Sequence, residues 1–425
     1  MDGRKTESIG IINALRRGTV PASGLERLAV GLSVEEEVIG RQLDFAASGG
    51  ADIKFVCGDY GSGKTFLVAR ALEIAREKTF VTAHVMISAD TPLHKESALY
   101  YRILSSLRTA EHENALKEIV DDWIFAIEER IIEVEGVSEE DEALKTGTVE
   151  RIEAALADIS AVNPALAAAL RVYYTANCAG DFPLAQAALG WLSGEPHVGR
   201  KFRQAAGVKG EVDEVSALVF LRGFMRIIRA AGYAGLAVAV DEVETVQALP
   251  SNLRAKGYGN LRQIVDAVDR GEMSHCYFLF TGTPAFFEGS KGIRSLPPLY
   301  DRLKIVGADD YANPLQAQIR LRPFDLQKLE EAALKVCEVY ADAAAPVDRN
   351  RVSHRFMQGM IDRVTTGFGG RVDVIPRIFL REFVDVLDKC GLYPEYNPAA
   401  AYAFDREKVK GDLKEEEEAV LEVEF

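Results

Sequence analysis

The chain has 425 residues, too many for one ordinary core, so two to three structural units are expected. With 48% hydrophobic and 27% charged residues and no long apolar run, the disordered, fibrous and membrane-spanning classes are set aside. A net charge of −15 argues against a surface that coats nucleic acid, because that affinity comes from Lys and Arg neutralising phosphates; a local basic channel stays open.

Residues 1–17 mix charges with short apolar pairs and lack the apolar stretch of a secretory signal, so the cytoplasm is the expected address. Residues 7–46 read as helix, with Ile9, Ile12, Leu15 and then Val38, Leu43 and Phe45 at apolar positions, broken by a turn-rich stretch at 18–24. We read residues 1–50 as an N-terminal helical lead-in. Residues 53–57 are a short apolar run that enters a glycine-rich turn, and residues 66–75 then have helical spacing, which gives the order strand, loop, helix. Residues 80–88 suit a second strand through Val81, Val85 and Ile87. From about 96 to 230 no strong strand is evident and stretches such as 150–171 are rich in Ala, Leu and Glu, so a helical insertion is expected. Strand signals return at 236–240 and 276–280. Segments 326–344, 355–365 and 374–388 are helical by pattern. The expected fold is therefore α/β: a P-loop, AAA+-like parallel sheet at 51–320 with a large helical insertion, followed by a small C-terminal helical domain at 321–395. An acidic tail at 396–425, with the run Glu415 to Glu418, reads as a solvated end.

Five dispersed cysteines (Cys57, Cys178, Cys276, Cys337, Cys390) form no CxxC pair and read as buried thiols. The six histidines form no ligand-spaced cluster, and His84 on the second strand reads as structural. No metal beyond magnesium is implied.

Gly58-Asp59-Tyr60-Gly61-Ser62-Gly63-Lys64-Thr65 matches the phosphate-binding pattern in its strand-to-helix setting. Glycines let backbone N–H groups turn around phosphate oxygens, Lys64 neutralises the β and γ phosphates, and the Thr65 hydroxyl ligates Mg2+ at a helix N-terminus. With Phe66, these residues are the expected ATP contacts. Residues 236–242 are an apolar strand ending in Asp241 and Glu242, the place for a carboxylate acting on magnesium and for a base that polarises the attacking water. Residues 277–283 end in hydroxyls, of which Thr281, with Thr283 close behind, is the candidate for bonding that water; a polar cap before Pro284 explains them equally well. Arg371, after the glycines at 367, 369 and 370, is the candidate for sensing the nucleotide from the C-terminal domain, with Arg377 competing. Arg294 and Arg302 are candidate fingers into a neighbouring subunit, though a surface arginine is more often only solvated.

These four strand-linked motifs with a helical C-terminal domain resemble the AAA+ class. Asp241-Glu242-Val243-Glu244 is similar to the acidic motif of its initiator branch. The segment Val30-Gly31 before Glu35 and Glu36 also resembles that branch's adenine-side segment, with Leu32 where the branch carries arginine. A closer resemblance spans most of the chain: it is similar to the D-type ATP-binding proteins of BREX phage-defence islands. The residues carrying it are the loop through Phe66, Thr91-Pro92-Leu93-His94, Trp191-Leu192-Ser193-Gly194 and Pro376-Arg377-Ile378-Phe379-Leu380-Arg381. The resemblance implies a bacterial or archaeal defence ATPase, encoded beside a helicase and working on or near foreign DNA.

Two functions are therefore expected. One is an ATPase that assembles as a homo-oligomer and drives a defence complex on DNA. The alternative is a slow ATP/ADP switch that recruits a protein partner such as the helicase. A small-molecule kinase suits Asp241 and Glu242 less well. The 177 positions between Lys64 and Asp241 place the insertion inside the core, where it offers a partner surface.

Overall fold

Ile53, Phe55, Val56 and Cys57 make an apolar run broken only by Lys54, whose ammonium donates to Pro314 O and Gln316 O; the pattern is that of a parallel strand covered on both faces, and in a computed structural model of the chain they lie in β1 (Ala51–Cys57). The structure describes residues 3–136, 138, 142–307, 313–344, 346–367 and 376–405, so Arg371 and the tail from residue 406 lie outside it. β2 (Val81–Met86), β3 (Leu236–Asp241), β4 (Cys276–Gly282) and β5 (Gln318–Arg320) complete a parallel sheet in the order β2-β3-β4-β1-β5. The fold class is that expected, an α/β parallel sheet with large helical parts. β5 was not read from the sequence. It has three residues, two of them polar, and is a strand through its register with β1, Phe55 to Gln318 and Cys57 to Arg320.

One face of the sheet (Val56, Ala237, Ala239, Tyr277, Leu279, Ile319) is covered by α2 (Ser33–Ala47) and α3 (Lys64–Glu77). The other (Phe55, Val238, Val240, Phe278, Phe280) packs on helices that include Glu96–Ser105, Ala217–Ala230 and Ser251–Asp269. Between β2 and β3 the described residues form eight α-helices and only isolated bridges, Thr82 to Arg108 and Arg108 to Glu113. The last of these helices carries Phe220, Leu221, Phe224, Ile227 and Ile228 at three- and four-residue spacing, which makes one buried apolar face, with Phe220 and Phe224 against Tyr100. Trp191 fastens the layer beyond: its indole N–H donates to Gly210 O at 3.1 Å and its ring packs on Phe202 and Phe220. The insertion and this face of the sheet thus share one core.

A separate core unites the helices Leu326–Ala343, His354–Gly367 and Pro376–Leu392 with α1 (Gly3–Arg16), through Ile11, Ile12 and Leu15 against Val336, Tyr340, Phe379 and Phe383. Arg16 pairs with Asp388 at 2.6 Å and Arg27 with Asp342 at 2.6 Å. The first fifty residues therefore serve two cores. α1 belongs with the C-terminal helices, α2 with the sheet, and residues 17–32 cross between them. No helix among the described residues is long and apolar enough to cross a membrane.

Candidate functional site

The carboxyl ends of the strands meet at one edge. Val240, Phe280 and Phe55 stand in one row across β3, β4 and β1, so Asp241 and Thr281 come one residue later and Gly58 follows Cys57 into the loop. Gly58 N–H donates to Gly282 O at 3.2 Å, tying the loop's entry to the end of β4. A side chain at Gly58 would place its Cβ 2.3 Å from Ser62 Oγ, and Gly61 and Gly63 have φ of 78° and 91°, values open to glycine. The loop ends at Lys64, the first residue of α3. Lys64 is buried; its ammonium donates to Gly58 O at 2.8 Å and Asp59 O at 3.0 Å and lies 5.2 Å from the Tyr60 ring centroid.

Asp241 is fully buried at the end of β3. Thr281 donates its hydroxyl to Asp241 Oδ1, Glu242 N–H reaches the same oxygen at 3.0 Å, and Oδ2 lies 3.4 Å from Thr65 Oγ1 and 3.8 Å from His84 Nε2. Burial pushes the Asp241 carboxyl upward, but His84, Thr281 and the Glu242 N–H together hold it below the ordinary range, so it is an anion. Thr281 is itself fully buried and also accepts from Glu242 N–H at 3.2 Å. It stands behind the two acids, and Thr283 occupies the N-cap position of the short helix Pro284–Glu288 without a side-chain cap bond. Glu242 has φ 59°, ψ 41°, a left-handed conformation that turns the chain from β3 into a single 3-10 segment, Val243–Ala248.

Lys64, Thr65, Asp241 and Glu242 line one cavity of about 530 Å³, together with Tyr60, Gly61, Ser62, Gly63 and Phe66; Gly58 and Asp59 reach it only through the carbonyls that hold Lys64. Sequence reasoning missed three cations in this wall, Arg320, Arg322 and Lys328, which join Lys64 and Arg377. Arg320 extends from β5 beside the Cys57 thiol, so its signal was hidden with that strand. In a chain of net charge −15, five cations gather round one cavity. The lining also has an apolar part: Val30 and Leu32 before α2, Ala332 and Val336 from the helix Leu326–Ala343, and Leu380 from Pro376–Leu392. The remaining candidates lie elsewhere: Arg302 pairs with Asp266, and Arg294 stacks 5.6 Å from the Tyr300 centroid.

A parallel sheet whose first strand feeds a glycine-rich phosphate-type loop, with acids at the end of β3, defines a nucleotide-binding α/β protein with a P-loop-like fold. The chain belongs to the family of BREX system ATP-binding proteins BrxC/D, whose family model matches residues 4–406. ATP binding in BREX phage defence is the role that comes with that family. No curated protein matches the chain.

Proposed function

We propose that this chain is an AAA+-like ATPase that hydrolyses ATP in the cavity between β1, β3 and the C-terminal helices. The observation that carries the reading is the convergence of Lys64, Thr65, Asp241 and Glu242, from two strand ends 177 positions apart, on one cavity. The residues suit Mg·ATP: Thr65 hydroxyl and Asp241 carboxylate are hard oxygen donors 3.4 Å apart, and the buried Ser62 hydroxyl in the loop has no partner among the described residues. Thr65 and Asp241 are the residues that would hold magnesium, which when bound supplies charge neutralisation at the β and γ phosphates.

In this reading Lys64 leaves the Gly58 and Asp59 carbonyls to pair with phosphate oxygens, and the apolar wall of Val30, Leu32, Val336 and Leu380 takes the base. Glu242 orients and polarises the attacking water. Thr281 acts as a positioning residue, fixing Asp241 and the Glu242 backbone together. The helices at 321–395 serve as a lid over the core at 51–320, and because their core includes α1, nucleotide occupancy biases the N-terminal segment as well. We further propose that the ATPase acts as a homo-oligomer, with a helicase partner and DNA.

A second reading, the slow switch, is favoured by the intrachain engagement of Arg302 with Asp266, which withholds that arginine from a neighbour. Phosphate release measured against protein concentration, with and without DNA and with Glu242→Gln as the blank, separates the two. A rate per subunit that climbs with concentration supports the oligomeric ATPase. A flat, slow rate supports the switch, and a rate equal to the blank rejects hydrolysis.

A further inference from the structure

Glu244 has no place in the scheme above. It borders the same cavity as Lys64, Asp241 and Glu242, is 9% exposed, and neither carboxyl oxygen has a hydrogen-bond partner among the described residues. An unpaired buried carboxylate opposes folding, so a wholly structural position would be served better by an amide or an apolar residue.

Its neighbour differs in kind. Asp241 receives bonds from Thr281 and the Glu242 N–H, and His84 stands near; each favours the ionised form. Among the described residues Glu244 has no side-chain donor. Its own backbone N–H and Lys64 from α3 favour its anion, while burial, Asp241 from β3 and Glu242 beside it oppose it and prevail. Where environments drive neighbouring carboxyls apart in this way, the one with the weaker support for its charge takes up a proton the more readily.

We propose that Glu244 is a proton-holding carboxyl group of the hydrolytic site, receiving through Glu242 the proton of the attacking water. The inference rests on the ATPase reading. Water oxygen bonds to the γ-phosphorus, and the bond from that phosphorus to the β–γ bridging oxygen breaks with its electron pair retained by ADP. The proton of the water passes to the Glu242 carboxylate and from there to Glu244, which stays neutral until the proton leaves to solvent with the products. Glu242 is thereby returned to its anionic form within the turnover. Burial and the two neighbouring acids raise Glu244 to about 7, which suits a group that gains and loses a proton near neutrality.

The test measures phosphate release by the full-length chain across the neutral pH range for wild type and Glu244→Gln, with affinity for a fluorescent ATP analogue and thermal unfolding followed in parallel. The expected result is a fall in kcat of about ten-fold or more, nucleotide affinity within about three-fold of wild type, no loss of thermal stability, and disappearance of the acid limb of the pH profile. Wild-type turnover with the acid limb intact overturns the proposal and leaves the ATPase reading standing. So does loss of nucleotide binding or stability along with turnover, which marks a structural role. A wild-type chain that matches its Glu242→Gln blank under every condition removes the ATPase reading itself, and this inference with it.

Discussion

The hydroxyl of Thr281 donates to Asp241 Oδ1 and accepts from the N–H of Glu242, so one side chain at the end of β4 fixes both acids at the end of β3. Thr281 and Asp241 are both fully buried, so a lost partner there leaves an unsatisfied polar group. Replacing Thr281 with Val keeps the shape and removes the bonds. The expected cost is roughly 1–3 kcal/mol of stability together with reduced turnover, while Thr281→Ser recovers most of both. Denaturant unfolding and phosphate release on the pair of variants check this; a Val variant with full activity would show that Thr281 is only packing.

Lys64 is held directly by two neutral loop carbonyls and by the face of Tyr60, so its removal breaks no direct ion pair among the described residues. Lys64→Ala is therefore expected to fold normally and to lose one charge-assisted contact to phosphate, worth about 1.5–3 kcal/mol, or about ten- to a hundred-fold in affinity. Thermal unfolding with and without ATP reads this directly, since a ligand bound only by the folded state raises its melting temperature. An ATP-induced shift equal to that of wild type would move the phosphate contact to Arg320, Arg322 or Lys328.

Glu242→Gln changes a carboxylate to an amide of the same shape at a residue whose left-handed backbone either can adopt. Binding is expected to persist while turnover falls by about a hundred-fold or more. The measurement is analogue affinity beside single-turnover hydrolysis. Weakened binding with unchanged turnover would place Glu242 in substrate binding rather than in activating water.

What could be read from the sequence was local. Apolar runs at 53–57, 236–240 and 276–280 are strands because both faces of the sheet are covered, and the loop from Gly58 to Thr65 announces itself by composition. β5 was hidden because its strand character comes from pairing with β1 across 260 positions of chain, and Arg320 was hidden with it. The apolar wall of the cavity joins segments near 30, 332 and 380, which no window of sequence brings together. Glu244 stands in that acidic motif, yet its lack of side-chain partners among the described residues is a fact of packing. The segments at 91–94 and 191–194, distinctive in sequence, prove to be fasteners: Leu93 O accepts from Asn260 Nδ2 at 3.2 Å, and Leu192 O accepts from the Tyr100 hydroxyl at 2.6 Å. They lock the insertion and the helix Ser251–Asp269 to the core.

Glu244 also makes a prediction about stability that needs no nucleotide. Burial first, then Asp241 and Glu242, raise its carboxyl from 4.5 to about 7. The folded chain therefore holds this proton more tightly than the unfolded chain, and the group costs nothing where both are protonated, below about pH 4.5. As pH rises from 4.5 toward 7 the unfolded chain ionises first and the folded state loses ground; above about pH 7 the full penalty applies, on the order of 3 kcal/mol. Glu244→Gln removes a group that would be charged and keeps one that is not. Its stability gain over wild type should be near zero at pH 4, grow through pH 6 and level off by pH 8. Urea unfolding of the two proteins at matched pH values measures the difference directly, cancelling every other titrating group that the substitution leaves alone. A gain that is the same at pH 4 and pH 8 would trace to packing, and no gain at pH 8 would mean that the Glu244 anion has found a partner in solution.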